Sequence, residues 1–522
     1  MPVRPQFRQV VAWVPPLPMH LLPSVAMLVH LLRTCRLGGA TLAMATIALL
    51  AGCGSDSART RSVSLHECRL PNLSSLAQCG EIEVPEDRSK PGGRKIRIFA
   101  AVLPANTLSP KEDPLLILAG GPGQAASTLA PFASRLNEIR RSRDVVLIDQ
   151  RGTGRSSPLA CDAFKPRDDE SMETDPVPRA RQCAAELAAQ GVDAAQYTTT
   201  AWLADIEAMR DALGYARWNL WGGSYGTRVA QEYLRRHPDR VRTVTLDGVA
   251  PPSMIITLDI WRTRQDVLDA VFRACRASPA CAKAHPDPAA TLAAIAKSLG
   301  PDGRDVEGID PRTGSVSRLH VTFDVVLGLL QPLTYAPELS TLLPEMLALA
   351  AVGDYGPLFA ATQSFTTNVA EQMNAALHFS VTCAEDVPRI TPSLVDSTLA
   401  ELPTRDLAAR AIAVCKIWPQ GTMPADFITP VTSDKPVLLF SGGMDPVTPP
   451  AYAAEVAKTL PNSRQIVARG YGHVVSPAAC GPRLIATFVE DAGFGRLAES
   501  CITYFERSTP PPLWPNRLEA QP

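Results

Sequence analysis

The sequence predicts an α/β fold: a mostly parallel sheet with helices on both faces, interrupted by an inserted helical cap. Three observations predict it. From about Cys79 to Gly248, short β-rich apolar runs alternate with helical patterns, the rhythm of successive βα units. From about Ser253 to Phe427 that rhythm gives way to helices and loops. It resumes at "PVLLFSGG" (Pro436 to Gly443). The 522 residues then divide into a leader at 1–52, a first core part at 53–252, a helical cap at 253–427 and a second core part at 428–522.

In chain order, "IRIFAAVLP" (Ile96 to Pro104) reads as an early strand, and "PLLILAGGPG" as a buried strand ending in a glycine loop. "DVVLIDQRGTG" (Asp144 to Gly154) repeats that form. "TAWLADIEAMRDALG" is a helix over Thr200 to Gly214, with the glycine as its stop. "WNLWGGS" is a strand, "YGTRVAQEYLRRHP" a helix closed by Pro238, and "VRTVTLDGVAPP" (Val241 to Pro252) the next strand. Within the insertion, "STLLPEMLALAAV" (Ser340 to Val352) is helical. A helix from Ala451 and the strand "SRQIVARGYGH" (Ser463 to His473) follow it.

The leader is read as a secretory signal. Arg33 and Arg36 precede the apolar run "LGGATLAMATIALLAGC", which is shorter than the roughly 20 residues a membrane span needs. "LAGC" (Leu50 to Cys53) resembles the lipobox of bacterial lipoproteins, which implies acylation of Cys53. Gly54, not an aspartate, follows it; by resemblance to the bacterial sorting rule this implies an outer-membrane anchor, periplasmic or at the cell surface. The lipid is then the sole membrane contact.

Cysteine usage agrees with export. Apart from Cys35 and Cys53 there remain Cys68, Cys79, Cys161, Cys183, Cys275, Cys281, Cys383, Cys415, Cys480 and Cys501. An even number outside the cytoplasm reads as disulfides. Composition leaves connectivity open, and pairing neighbours in chain order gives 68–79, 161–183, 275–281, 383–415 and 480–501. Zinc ligation lacks C-x-x-C pairs and nearby histidines, so no metal is expected. With 51 basic and 52 acidic residues the chain has no basic excess, which argues against nucleic acid as a partner.

Chemistry gathers at "LWGGSYGTR" (Leu220 to Arg228). A strand before Ser224 and a helix after it describe a nucleophile elbow, a turn that holds the hydroxyl above the sheet. Such a serine needs a base and a residue to orient that base. Of eight histidines, His473 alone follows a late sheet strand, in the loop "GYGH". Asp445 in "SGGMDPVTPP" follows a buried strand and lies between serine and histidine in the chain, whereas Asp434 precedes that strand. The candidate triad is Ser224, Asp445 and His473. Its oxyanion hole is assigned to the amide of Tyr225 and to the loop "GGPG" (Gly120 to Gly123), through Gly121. That loop matches neither phosphate-binding glycine pattern, so no cofactor is expected.

The set "GGPG", "DQRGTGRS", "GGSYG", "LDGV", "SGGMDPVTPP" and "GYGH" resembles the prolyl and tripeptidyl aminopeptidase branch of the α/β-hydrolases, secreted bacterial type, with a TAP-like C-terminal segment. The likeness runs from about Cys79 to Cys501 and thins through the insertion. It implies a serine exopeptidase that releases proline or short, tripeptide-like pieces from peptides with free N-termini, under a helical cap. Ala119 and Tyr225 stand where prolyl iminopeptidases usually carry His and Trp, which favours the tripeptidyl-like members. Glu385 and Asp386, beside Cys383 in "VTCAEDVPR", are candidates to hold the substrate ammonium; capping a helix or pairing with Arg389 is the alternative. Arg151, Asp205 and Arg210 read as structural. An esterase or lipase with the same triad is the alternative enzyme. A binding module on this fold would not need the complete set of catalytic elements.

Overall fold

Apolar runs become strands wherever both faces of the chain can be covered. The computed structural model describes residues 61–165, 175–309, 314, 316–370 and 372–513. The segment read as a secretory signal, and Cys53, lie outside the described residues. Before the insertion come β1 (His66–Cys68), β2 (Ala77–Pro85), β3 (Lys95–Leu103), β4 (Leu115–Leu118), β5 (Val145–Ile148), β6 (Trp218–Gly223) and β7 (Val241–Asp247). Within it lie β8 (Arg304–Ile309) and β9 (Val316–Val321); after it come β10 (Val437–Gly442) and β11 (Ser463–Ala468).

Among the described residues these form one sheet in the order β1-β2-β3-β5-β4-β6-β7-β10-β11, and β8-β9 pair separately. From β5 to β11 every neighbouring pair is parallel. The β1, β2 and β3 edge is antiparallel. The runs "LLIL" of β4 and "VVLI" of β5 are buried at every position, as a parallel sheet covered on both faces requires. Alternate residues feed opposite layers: Leu116, Leu118, Ile148 and Leu220 pack on one face. Leu115, Ile117, Leu147 and Trp221 pack on the other.

Helix boundaries follow their caps. The side chain of Thr198 accepts from the Ala201 amide and opens α1 (Thr199–Ala212). α2 (Tyr225–Arg236) stops before Pro238. The insertion begins with α3 (Ile256–Ala277) and also contains α4 (Ala375–Glu385). Part of it folds around a core of its own, with Leu268, Phe272, Ile295, Leu329 and Leu347 buried together.

Two corrections follow. The insertion is not made of helices and loops alone, because Arg304–Ile309 and Val316–Val321 form an antiparallel hairpin. After β11 the chain adds α5 (Gly481–Asp491) and α6 (Glu499–Glu506), whose Leu484, Phe488, Ile502 and Phe505 close one face of the sheet. Five disulfides join Cys68–Cys79, Cys161–Cys183, Cys275–Cys281, Cys383–Cys415 and Cys480–Cys501, a density that belongs to an oxidising compartment. Among the described residues, no helix is long and apolar enough to cross a membrane.

Candidate active site

The glycine loop, Ser224, Gly248, Asp445 and His473 all follow the C-terminal ends of parallel strands, the edge where open α/β sheets bind ligands. Ser224 is the single residue between β6 and α2, and it takes φ 55° and ψ −125°. A left-handed φ is costly for a residue with a Cβ. The neighbours leave little alternative. A Cβ at Gly222 would run into the Gly226 carbonyl, and one at Gly226 into the Leu118 carbonyl at the end of β4. The Ser224 amide donates to the Asp247 carbonyl at 2.8 Å, which ties the elbow to β7.

Asp445 and His473 face each other across two adjacent loops. Their contact is 2.8 Å from Nδ1 to Oδ2 and 2.9 Å to Oδ1. Asp445 also accepts from the Val447 and Thr448 amides at 2.8 and 2.9 Å and from the Thr448 hydroxyl at 2.8 Å. A carboxylate so occupied cannot rotate away from the ring. With Nδ1 donating to Asp445, Nε2 is left as the free base. Burial pushes the His473 imidazole down, yet the charge and hydrogen bond of Asp445, with the Asp247 charge, hold it above its ordinary value.

Glycines adjoin both His473 and Ser224. A Cβ at Gly248 would lie 3.1 Å from His473 Cε1, and one at Gly120 would lie 3.1 Å from Ser224 Cβ. The loop carrying Gly121 therefore borders the serine on one side, and the histidine loop closes in beyond β7. The Tyr225 amide is at the first position of α2, where helix geometry supplies no acceptor and the dipole favours a negative charge.

Sequence reasoning missed two groups. Thr448 holds Asp445, as above. Asp247 of the "LDGV" motif is fully buried, and its carboxylate accepts from the Val475 amide at 2.8 Å and the Ser476 amide at 2.6 Å. These amides follow His473 by two and three residues, so one aspartate clamps the histidine loop while its carbonyl holds the serine. Burial raises its carboxyl to about 6, against hydrogen bonds from Ser476 and Val475. Its position at the end of a buried strand was the available signal.

Glu385 and Asp386 lie at the end of α4, and both are buried. Glu385 accepts from the Thr199 amide at 2.7 Å and the Thr199 hydroxyl at 3.0 Å, and that hydroxyl bonds the Tyr225 hydroxyl at 2.6 Å. Asp386 takes Arg228 at 2.9 Å and lies 3.9 Å from Arg389. The acids thus form a closed cluster behind Tyr225. Burial raises the Glu385 carboxyl to about 7, against the Arg228 charge and the Thr199 hydrogen bonds. α4 also reaches the glycine loop: the Asn374 amide before it donates to the Gly123 carbonyl at 2.9 Å, and His378 hydrogen-bonds Pro122.

Arg151 grips Asp205 through two bonds of 2.6 and 2.7 Å, and Arg210 bonds Glu207 and the Tyr215 carbonyl. Of the other described histidines, His285 pairs with Glu345 and His320 with Asp305, away from any serine elbow. Among the described residues, no group of three His, Cys, Asp or Glu is arranged to hold a metal ion.

With the geometry in place, comparison with known proteins is informative. The alpha/beta hydrolase fold family matches residues 113–302, and a family described as TAP-like protein matches residues 402–501. The chain has the α/β-hydrolase fold. A tripeptidyl aminopeptidase of Streptomyces lividans is 30% identical to this chain over 200 residues, 35% of this chain and 37% of that protein. A proline iminopeptidase of Neisseria gonorrhoeae is 31% identical over 141 residues, 27% of this chain and 34% of that one. A serine protease Hip1 of Mycobacterium bovis is 29% identical over 194 residues, covering 34% and 36%. The chain thus aligns with little more than a third of each relative's length.

Proposed function

We propose that the protein is an exported serine aminopeptidase, lipid-anchored through Cys53, that cleaves short N-terminal pieces from peptides by way of an acyl-enzyme. One observation carries the proposal: the strained Ser224 elbow and an Asp445–His473 pair, whose carboxylate is fixed by three further hydrogen bonds, all follow the C-terminal ends of parallel strands of one sheet. Relatives named as tripeptidyl aminopeptidase and proline iminopeptidase support peptide substrates. The five disulfides support export.

In this reading the Ser224 Oγ attacks the scissile carbonyl while His473 Nε2 takes its proton. Asp445 stabilises the imidazolium, and the Tyr225 and Gly121 amides receive the oxyanion. The C–N bond breaks as His473 returns the proton to the leaving amine, and water then hydrolyses the ester by the same route. Glu385, closed onto Thr199 in this structure, is assigned to the substrate ammonium, which has to displace the Thr199 contact to reach it. Its carboxyl is poised near neutrality by burial, so an arriving cation favours the ionised form. Asp386 supplies the second negative charge of that cluster, shared with Arg228.

Release of nitroaniline from Pro-, Ala-Ala- and Ala-Pro-Ala substrates, with free and acetylated N-termini, tests the assignment. A nitrophenyl ester and the Ser224→Ala variant complete the set. Turnover confined to free N-termini and lost in the variant is expected. Equal turnover of acetylated peptides overturns the aminopeptidase reading, and ester turnover alone indicates an esterase.

A further inference from the structure

We propose that Arg264, on the insertion helix α3, is a specificity residue that binds a carboxylate of the substrate beyond the scissile bond. The inference rests on the reading of Ser224 as nucleophile. Three contacts place this turn of α3 at the site. The hydroxyl of Thr263, its neighbour, donates to the Pro446 carbonyl at 2.7 Å, one residue past Asp445. Arg264 itself donates to the Tyr335 hydroxyl at 2.8 Å and lies over the Tyr335 ring at 5.2 Å. That ring meets His473 edge-on at 5.6 Å between centroids, and the Tyr335 carbonyl packs against Gly472.

The charge of Arg264 is also felt at two histidines. It acts on His473 and on His378, which hydrogen-bonds Pro122 of the glycine loop.

What sets Arg264 apart is the chemistry of its partners. The buried arginines Arg143, Arg151 and Arg228 each hold a carboxylate, namely Asp113, Asp205 and Asp386. Arg264 has a phenol hydroxyl, the Tyr335 ring and the Trp261 ring at 6.0 Å. Among the described residues no carboxylate lies within ion-pair distance of it, and its Nε is buried without a hydrogen-bond partner. A guanidinium partly withdrawn from water with donors left over is matched by a carboxylate, which accepts two parallel N–H bonds. Two aromatic contacts hold the side chain ready without neutralising it.

The substrate can offer that carboxylate in two ways, as the free C-terminus of a short peptide or as an acidic side chain. Wild type, Arg264→Met and Arg264→Lys are to be compared on Ala-Ala-Ala-Ala and its C-terminal amide, and on amidated peptides with Glu or Gln after the scissile bond. Wild type is expected to favour the carboxylate member of at least one pair by about tenfold to a hundredfold in kcat/KM. Arg264→Met brings that ratio to about one, and Arg264→Lys restores part of it. The pair that responds identifies the source.

Binding of each peptide to Ser224→Ala protein by calorimetry, with Arg264 intact and replaced, reads the same preference without turnover. A preference that survives Arg264→Met, or no preference in wild type by either measurement, overturns the inference. Absence of all peptide turnover alongside an intact binding preference overturns the nucleophile reading instead.

Discussion

The carboxyl edge of the sheet and the inserted segment are held in different ways. At the sheet edge, main-chain geometry fixes the reactive groups: the Ser224 amide on the Asp247 carbonyl, the Val475 and Ser476 amides on the Asp247 carboxylate, and Gly226 against Leu118. The insertion is joined to that edge mainly by side chains. Glu385 reaches Thr199, Asp386 reaches Arg228 and Thr263 reaches Pro446, beside one main-chain bond from Asn374 to Gly123, while Cys383–Cys415 braces the end of α4 within the insertion. The contrast teaches a division of labour. Backbone constraints tolerate little sequence change and suit the chemistry, whereas side-chain contacts can be exchanged singly and suit selection of the substrate.

The sharpest way to break this division is at Asp445. Asp445→Asn keeps the shape but leaves the imidazole Nδ1 hydrogen without its carboxylate, so kcat should fall by about 10⁴-fold with KM little changed. A comparable rise in KM would place Asp445 in binding instead.

Asp247→Asn comes next. Its amide cannot accept both loop N–H groups, and a loosened His473 loop should cost about tenfold to a hundredfold in kcat. The variant also carries a pH signature. A folded-state imidazole held above its ordinary value is protonated, and inactive as a base, to a higher pH. Asp247 helps to hold it there and is mostly ionised above its own pKa of about 6. Removing that charge lowers the His473 pKa, so the acid limb of kcat/KM shifts to lower pH. A purely structural Asp247 would reduce activity without moving the limb.

On the insertion side, Cys383→Ser with Cys415→Ser should cost ~2–4 kcal/mol of stability by denaturant midpoint. It should raise KM for peptides while kcat for a small ester changes less. A large loss of kcat on the ester would mean that the insertion takes part in the chemistry.

Legibility in the sequence follows the same line. The runs around Leu115–Leu118, Val145–Ile148 and Val437–Gly442 are apolar at nearly every position, because a parallel strand must be buried on both faces. Ser224 and Asp445 could be picked out as candidates because each follows a fully buried strand, whereas His473 follows the half-exposed edge strand β11 and was marked by its glycine loop. The hairpin of β8 and β9 was not visible, since short polar strands inside a helical segment give little periodicity. Nor was the closed state of Glu385 and Asp386. Their partners Thr199 and Arg228 lie over 150 residues earlier in the chain, and only the fold brings them together. Arg264 shows the same limit: one arginine among many in the sequence, set apart by having no acid beside it among the described residues.

The central claim is that Ser224 is the nucleophile of peptide cleavage. Stoichiometric labelling with a fluorophosphonate, read by peptide mapping and by residual hydrolysis of free-amino peptide substrate, tests it directly. The account predicts one adduct per chain on Ser224, loss of activity in proportion to labelling, and no adduct in Ser224→Ala protein. An adduct on another residue, or full peptide turnover by fully labelled protein, would contradict it.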